Sequence, residues 1–199
     1  FLDGDDLWEI NHLEEIKKMI DVFPNEKVYV TSFEYSNGRE MFKHPRQKPI
    51  FKIENYFKEV MKENLMNSSI VVVHKSCINE VGGFNEILRY GEDLELWARL
   101  ARNYSIIKSQ KITAVYKLDS ENRAGIAKDV KESIAFYLSM NMADDIDEYN
   151  YYKMIILQRM LAYFRRFDFK NFLLLKRKHL EITYKDFLIY LKFRLKKRI

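Results

Sequence analysis

Phe1-Leu2-Asp3-Gly4-Asp5-Asp6-Leu7-Trp8 sets an acidic cluster between two pairs of apolar residues. Two apolar residues run into three carboxylates, which reads as the last residues of a buried strand emerging at a sheet edge, where ligands and metals usually sit. Along an extended strand, residues i and i+2 point the same way, so Asp3 and Asp5 are expected to face one pocket. Two hard carboxylates on one side suit Mg2+ or Mn2+, which take one or two carboxylates plus waters and substrate phosphates. The implied substrate is a diphosphate. A surface turn rich in Asp and Gly is the competing reading of the same residues.

Outward from this stretch, apolar residues at helical spacing (Trp8, Ile10, Leu13, Ile16, Met19, Ile20) predict an amphipathic helix ending near Phe23-Pro24-Asn25. Val28 to Tyr35 is rich in β-branched and aromatic residues and predicts a strand, closed by Asn37-Gly38 as a tight hairpin turn. Lys43 to Lys48 reads as loop. Ile53 to Leu65 is helical in period, and Ser69 to His74 is an apolar run of strand length, expected to be buried on both faces. A short helix from Lys75 leads to Gly82-Gly83-Phe84-Asn85, where paired glycines permit a tight turn or a close approach to a ligand. Glu92-Asp93 then opens a helix, where carboxylates meet free backbone amides.

Strands are expected at Ser105 to Lys108 and Ile112 to Leu118, then a polar loop through Asp119 and Arg123. A helix is expected over Lys128 to Met142, a linker at Asp144 to Glu148, and helical patterns over Tyr151 to Phe167 and from Phe169 to the end. Mixed strands and helices up to about residue 118 argue an α/β layer rather than a bundle. The boundary is placed between residues 1–125 and a helical extension, 126–199.

The 199 residues carry a net charge of +5, but unevenly: residues 151–199 hold 14 Lys and Arg against three Asp and Glu, and the rest is net acidic. That asymmetry suggests an anionic surface near the C-terminus rather than a basic active site. From Tyr184 to Arg198, Phe187, Leu188, Leu191 and Leu195 fall on one helical face, with Lys185, Lys192 and Lys196 towards the other. This fits a helix lying in an anionic membrane interface, or equally a solvated helix packed on the domain. No nucleic-acid motif is present, and nucleic acid is not an expected partner. No apolar run reaches membrane-span length, and the single cysteine, Cys77, excludes an internal disulfide and fits a reducing compartment. The four histidines, His12, His44, His74 and His179, lack metal-ligand spacing.

The acidic opening, then Gly82-Gly83-Phe84-Asn85-Glu86, then Gly91-Glu92-Asp93-Leu94-Glu95-Leu96-Trp97 together resemble the C-terminal half of a family 2 glycosyltransferase of the GT-A fold, over roughly residues 1 to 125. The resemblance implies an inverting enzyme that transfers a sugar from a nucleotide-diphosphate sugar to a hydroxyl of a saccharide or lipid-linked acceptor. The setting it suggests is cell-surface polysaccharide or glycolipid synthesis, at the cytoplasmic face of the plasma membrane. It puts Asp3 near the donor ribose or metal and Asp5 on the metal, the family's Asp-x-Asp motif. It makes Asp93 the base that takes the acceptor proton, with Glu92 its neighbour, and sets Gly83 and Trp97 on the acceptor side. Trp97 is open to a second role, core packing.

The family often carries a His after the last core strands; none stands here, and Asp119 could substitute as an oxygen ligand, with Lys117 or Arg123 a candidate phosphate holder. The family's nucleotide-binding strands precede the Asp-x-Asp motif, so residues 1–199 alone are expected to be a poor transferase. Two other readings remain: an inactive module that binds a membrane or protein through its basic tail, and a haloacid dehalogenase-type phosphohydrolase. The latter has no use for Glu92-Asp93 and expects Thr or Val at the position of Leu7.

Overall fold

The computed structural model describes residues 1–39, 48–118 and 129–196. Over these residues the chain forms two compact units, one from Phe1–Phe84 and Asp93–Arg123, the other from Asn85–Glu92 and Ala124–Ile199. The segment Asn85–Glu92, leading into the Asp93 helix, clusters with the C-terminal unit.

The first unit is a mixed sheet with flanking helices. Its elements are β1 (Leu7–Trp8), α1 (His12–Val22), β2 (Val28–Tyr35), β3 (Ile50–Lys52), α2 (Tyr56–Val60), β4 (Val71–Val73), α3 (Lys75–Val81), α4 (Glu92–Asn103) and β5 (Ile106–Tyr116). β2 lies between β4, antiparallel, and β5, parallel. The other edge of β5 is shared: β3 pairs with its first half (Ile50 opposite Ser109) and β1 with its second (Leu7 opposite Val115), both antiparallel. The two strands expected around residues 105–118 are therefore one, with its register to β2 shifting between Val30 and Phe33.

Asn37-Gly38 does turn, Gly38 at φ 69° donating its N–H to Tyr35 O at 2.9 Å. The segment that would complete a hairpin after it, residues 40–47, lies outside the described residues; the next described strand, β3, pairs with β5. Most of the Lys43 to Lys48 loop lies outside the described residues. The helix expected over Ile53 to Leu65 shortens to α2, started by the Asn55 side chain accepting from Lys58 N–H at 2.9 Å. The run Ser69 to His74 splits. Asn67 accepts from Ser69 N–H at 3.0 Å, which closes a 3-10 turn over Ser68–Ile70, and only Val71–Val73 remain strand, at the end of the sheet order. Cys77 is buried and free, as a small apolar residue.

α1 starts at His12, not at Trp8, because Trp8 is held in β1 and Glu9 N–H donates to Thr113 O at 2.9 Å. Ile10 and Leu13 are exposed, and the buried face is His12, Glu15, Ile16 and Met19. Ile16 and Met19 pack on Tyr29, Ile50 and Ile107, the core between helix and sheet. The two buried polar residues are matched to β5: the Ser109 hydroxyl donates to Glu15 Oε1 at 2.5 Å, and His12 Nδ1 lies 2.8 Å from Thr113 Oγ1. Burial, chiefly, holds the His12 imidazole below its ordinary titration range. The Trp8 indole stacks on His12 at 4.1 Å between centroids, closing β1 over the helix start.

The second unit is helical: α5 (Ile134–Tyr137), α6 (Ile146–Arg165), α7 (Phe169–Lys178) and α8 (Tyr184–Lys196). α6 is its spine, burying Tyr151, Tyr152, Ile155, Ile156, Leu157, Met160 and Tyr163. The helix expected from Lys128 to Met142 is broken into a 3-10 turn, α5 and a second 3-10 turn. Asp129 accepts from Lys131 N–H at 2.9 Å and Ser133 from Ala135 N–H at 3.4 Å, local bonds that compete with a continuous helix. The expected linker is instead the start of α6, capped by Asp145, which accepts from Glu148 N–H at 2.8 Å. The pattern from Phe169 onward is two helices, because Thr183 and Asp186 form a reciprocal cap, Thr183 N–H donating to Asp186 Oδ2 at 2.7 Å. α8 packs on α6: Lys153 Nζ donates to Asp186 Oδ1 at 2.9 Å and Tyr190 is buried. No described helix is long and apolar enough to cross a membrane.

Candidate active site

The acidic opening is a turn and not a strand end. Phe1 and Leu2 are about half exposed, Gly4 and Asp5 form the turn, and Asp6 N–H donates back to Asp3 O at 3.2 Å. The two-residue alternation that aligned Asp3 with Asp5 therefore does not operate. Three carboxylates in a row then divide their work by burial. Asp3 and Asp5 are exposed, whereas Asp6 is 7% exposed and accepts from the Ser69 hydroxyl at 2.6 Å (Oδ2) and from Lys117 N–H at 2.9 Å (Oδ1).

Ser69 is the hub of this arrangement. Its Oγ also accepts from Asp3 N–H at 3.1 Å, and its carbonyl accepts from the Trp8 indole N–H at 2.6 Å. The opening turn, the 3-10 turn and the end of β5 are thereby tied at one point. Lys117, expected as a phosphate holder, is joined to the opening by its backbone. Asp119 and Arg123 lie outside the described residues.

The glycine turn is held by Arg99, one helical turn beyond Glu95. Its Nη2 donates to Gly83 O at 2.6 Å and its Nη1 to Gly82 O at 3.2 Å and to Val81 O. Its other donors pair with Glu95, Nε to Oε1 at 2.7 Å and Nη2 to Oε2 at 2.6 Å. This fork-to-carboxylate geometry orients the guanidinium. Glu95 is thus committed to positioning, and Glu92 and Asp93 are both half-buried at the helix start. Asp93 Oδ1 accepts from Leu94 N–H at 2.8 Å, and the free amides and dipole of a helix start favour a carboxylate there.

The two glycines differ. Gly82 ends α3 at φ 86°, ψ 164°, a region essentially closed to other residues, and a Cβ there would meet Arg99 Nη1 at 3.3 Å. A Cβ on Gly83 would meet nothing within 4 Å. Gly82→Ala is expected to destabilise the chain by about 1–3 kcal/mol. Gly83→Ala is expected to stay within about 0.5 kcal/mol of wild type. Denaturant titration of both variants measures the contrast.

Trp97 is fully buried, 0% exposed, with Phe1 (5.7 Å between centroids) and Phe84 (6.3 Å) edge-on to it. No face is offered to a sugar, so the packing role stands. Phe1 and Phe84 are also edge-to-face at 5.6 Å, closing a triangle. One ring comes from each of the three motif segments, so the aromatic triangle brings together the acidic opening, the glycine turn and the Asp93 helix. Phe1, Ser69, Phe84, Asp6 and Arg99 were not among the residues expected to form the site. Among them, Phe1, Asp6 and Phe84 stood inside the motifs of the sequence, and the i, i+4 spacing of Glu95 and Arg99 was a legible signal.

The family described as "Glycosyltransferase like family 2" matches residues 1–127. The chain belongs to this family. A solved structure shares the fold of this glycosyltransferase family 2-like chain: the crystal structure of S. aureus TarS 1-349 in complex with UDP-GlcNAc, with a TM-score of 0.55 and 15% identity. The alignment covers 83% of this chain and 48% of that one, so the chain spans about half the length of the TarS structure. No curated protein matches the sequence.

Proposed function

We propose that this chain supplies the acceptor side and the Asp-x-Asp segment of an inverting glycosyltransferase. Its substrates are a nucleotide-diphosphate sugar and a hydroxyl of a saccharide or lipid-linked acceptor, in the synthesis of a cell-surface polysaccharide or glycolipid. The observation that carries this reading is the Phe1–Phe84–Trp97 triangle, which gathers the three segments that bear carboxylates and glycines.

Asp93 is the base. It accepts the proton of the acceptor hydroxyl as that oxygen bonds to C1 of the sugar, and the bond from C1 to the diphosphate oxygen breaks with its electron pair on the departing nucleoside diphosphate. The open face of Gly83 would line the acceptor, with Arg99 holding the glycine turn in place, and Glu92 is proposed as an acceptor-binding neighbour of Asp93 in sequence. Asp3 and Asp5, both exposed in the opening turn, would offer hard oxygen ligands to a divalent ion. No group of three His, Cys, Asp or Glu converges among the described residues. Mg2+ and Mn2+ complete their shells with water and phosphate oxygens, so one or two carboxylates suffice. When bound, the ion supplies positive charge to the leaving diphosphate. Asp3 would also lie on the donor side, and Arg123 is proposed to hold phosphate.

The test is a panel of nucleotide-diphosphate sugars presented to the full-length protein with Mn2+ or Mg2+. Release of nucleoside diphosphate from one of them, lost with chelator and reduced at least about tenfold in Asp5→Ala, supports the reading. Release that is indifferent to chelator and to Asp5→Ala would remove the metal site from it.

A further inference from the structure

The α6–α7 corner carries a feature that the transfer site does not use. Helix α6 ends with Phe167 at φ 60°, the one non-glycine residue with positive φ among the described residues. The hydrogen bonds are those of a paired C-terminal cap: Asp168 N–H donates to Tyr163 O at 3.0 Å and Phe167 N–H to Phe164 O at 3.1 Å. That cap calls for glycine, or failing that Asn, at the position of Phe167. A phenyl group stands there instead, and it is 80% exposed. Both its backbone conformation and its exposure are unfavourable in an isolated molecule.

Phe167 is not alone. Its ring lies edge-on to Phe169 at 6.3 Å, Phe169 to Phe164 at 6.0 Å, and Leu173 follows Phe169 by one helical turn; Phe164, Phe169 and Leu173 are each about half exposed. Arg165, Arg166, Lys170 and Arg177, all exposed, interleave with these residues. The one carboxylate of the stretch, Asp168, is occupied in starting α7, accepting from Asn171 N–H at 3.1 Å. By contrast, the tail helix α8 buries Tyr190 and is tied to α6 through Asp186.

We propose that this corner, rather than the face of α8, is a docking surface for an anionic lipid bilayer. Phe167 and its aromatic neighbours enter the interface, and the four cations face the headgroups. Aromatic rings settle at the headgroup level, and each Lys or Arg near an anionic leaflet adds to binding. The surrounding chain, with 14 Lys and Arg against three Asp and Glu over residues 151–199, complements negative charge. The inference does not depend on the transfer reaction.

The test is co-sedimentation of the full-length protein with phosphatidylcholine vesicles, with and without phosphatidylglycerol. Binding is expected only with the anionic lipid. Arg165→Gln with Arg166→Gln is expected to weaken it roughly 30-fold, from about fivefold per cation. Phe167→Gly is expected to weaken it about tenfold while raising the melting temperature by roughly 2 °C, since glycine relieves the left-handed residue. A merely structural Phe167 would not separate those two readouts. Equal binding to neutral vesicles, unchanged binding of Phe167→Gly, or loss of binding only in Leu188→Ser with Ile189→Ser would overturn the proposal, the last in favour of α8.

Discussion

Asp93→Asn is expected to lower the turnover of sugar transfer by about 10²–10⁴-fold, with donor affinity changed by no more than about twofold. The amide keeps the shape of the carboxylate and can still accept from Leu94 N–H, the 2.8 Å bond that Asp93 Oδ1 makes at the start of α4. What it loses is basicity: an amide does not take a proton from a hydroxyl that is attacking C1. The loss therefore falls on the chemical step and leaves the donor side, proposed to include the opening turn, as it was. Neighbouring Glu92 sets the control. If Glu92→Gln costs as much as Asp93→Asn, the two act together; if it alone costs activity, the base is misassigned. Steady-state kinetics and donor titration on the same preparations read both quantities.

Asp6→Ala is expected to destabilise the chain by about 2–4 kcal/mol. The carboxylate is buried and takes two donors from distant parts of the chain, the Ser69 hydroxyl and Lys117 N–H. Hydrogen bonds to a charged group are worth more than neutral ones, and truncation leaves both donors without their acceptor in a place water does not reach freely. Asp6→Asn keeps one good acceptor and should cost about half as much. Asp5→Ala, on the exposed side of the same turn, should cost less than about 0.5 kcal/mol. Denaturant titration of the three variants separates the structural carboxylate from the exposed ones. A loss below about 0.5 kcal/mol for Asp6→Ala would mean that this junction does not hold the opening in place.

These two residues show where the sequence was readable. Glu92-Asp93 was legible because a helix start is a local signal, and the α/β order up to residue 118 followed from alternating apolar periods. β2 and α3 emerged at their expected places for the same reason. Asp6 was not legible as the inward carboxylate, because its partners are 63 and 111 residues away. α1 was misphased because its buried face includes His12 and Glu15, which apolar periodicity counts as surface; only the Thr113 and Ser109 hydroxyls on β5 make that burial acceptable. The long helices expected at 128–142 and after Phe169 broke at Ser133 and Thr183, where a short polar side chain satisfies the backbone locally. Trp97 shows the opposite limit: a helical turn after Asp93 places it near the chemistry, but only its neighbours, Phe1 and Phe84, decide that it packs inward.

The anomeric configuration of the product, read from its proton coupling constants by NMR for the donor that the nucleotide-sugar panel identifies, decides whether Asp93 acts in a single displacement. An α-linked donor is predicted to yield a β-linked product, because a single displacement with Asp93 as base inverts C1. A product that retains the α configuration would contradict the assignment of Asp93 and the two-sided site built around it.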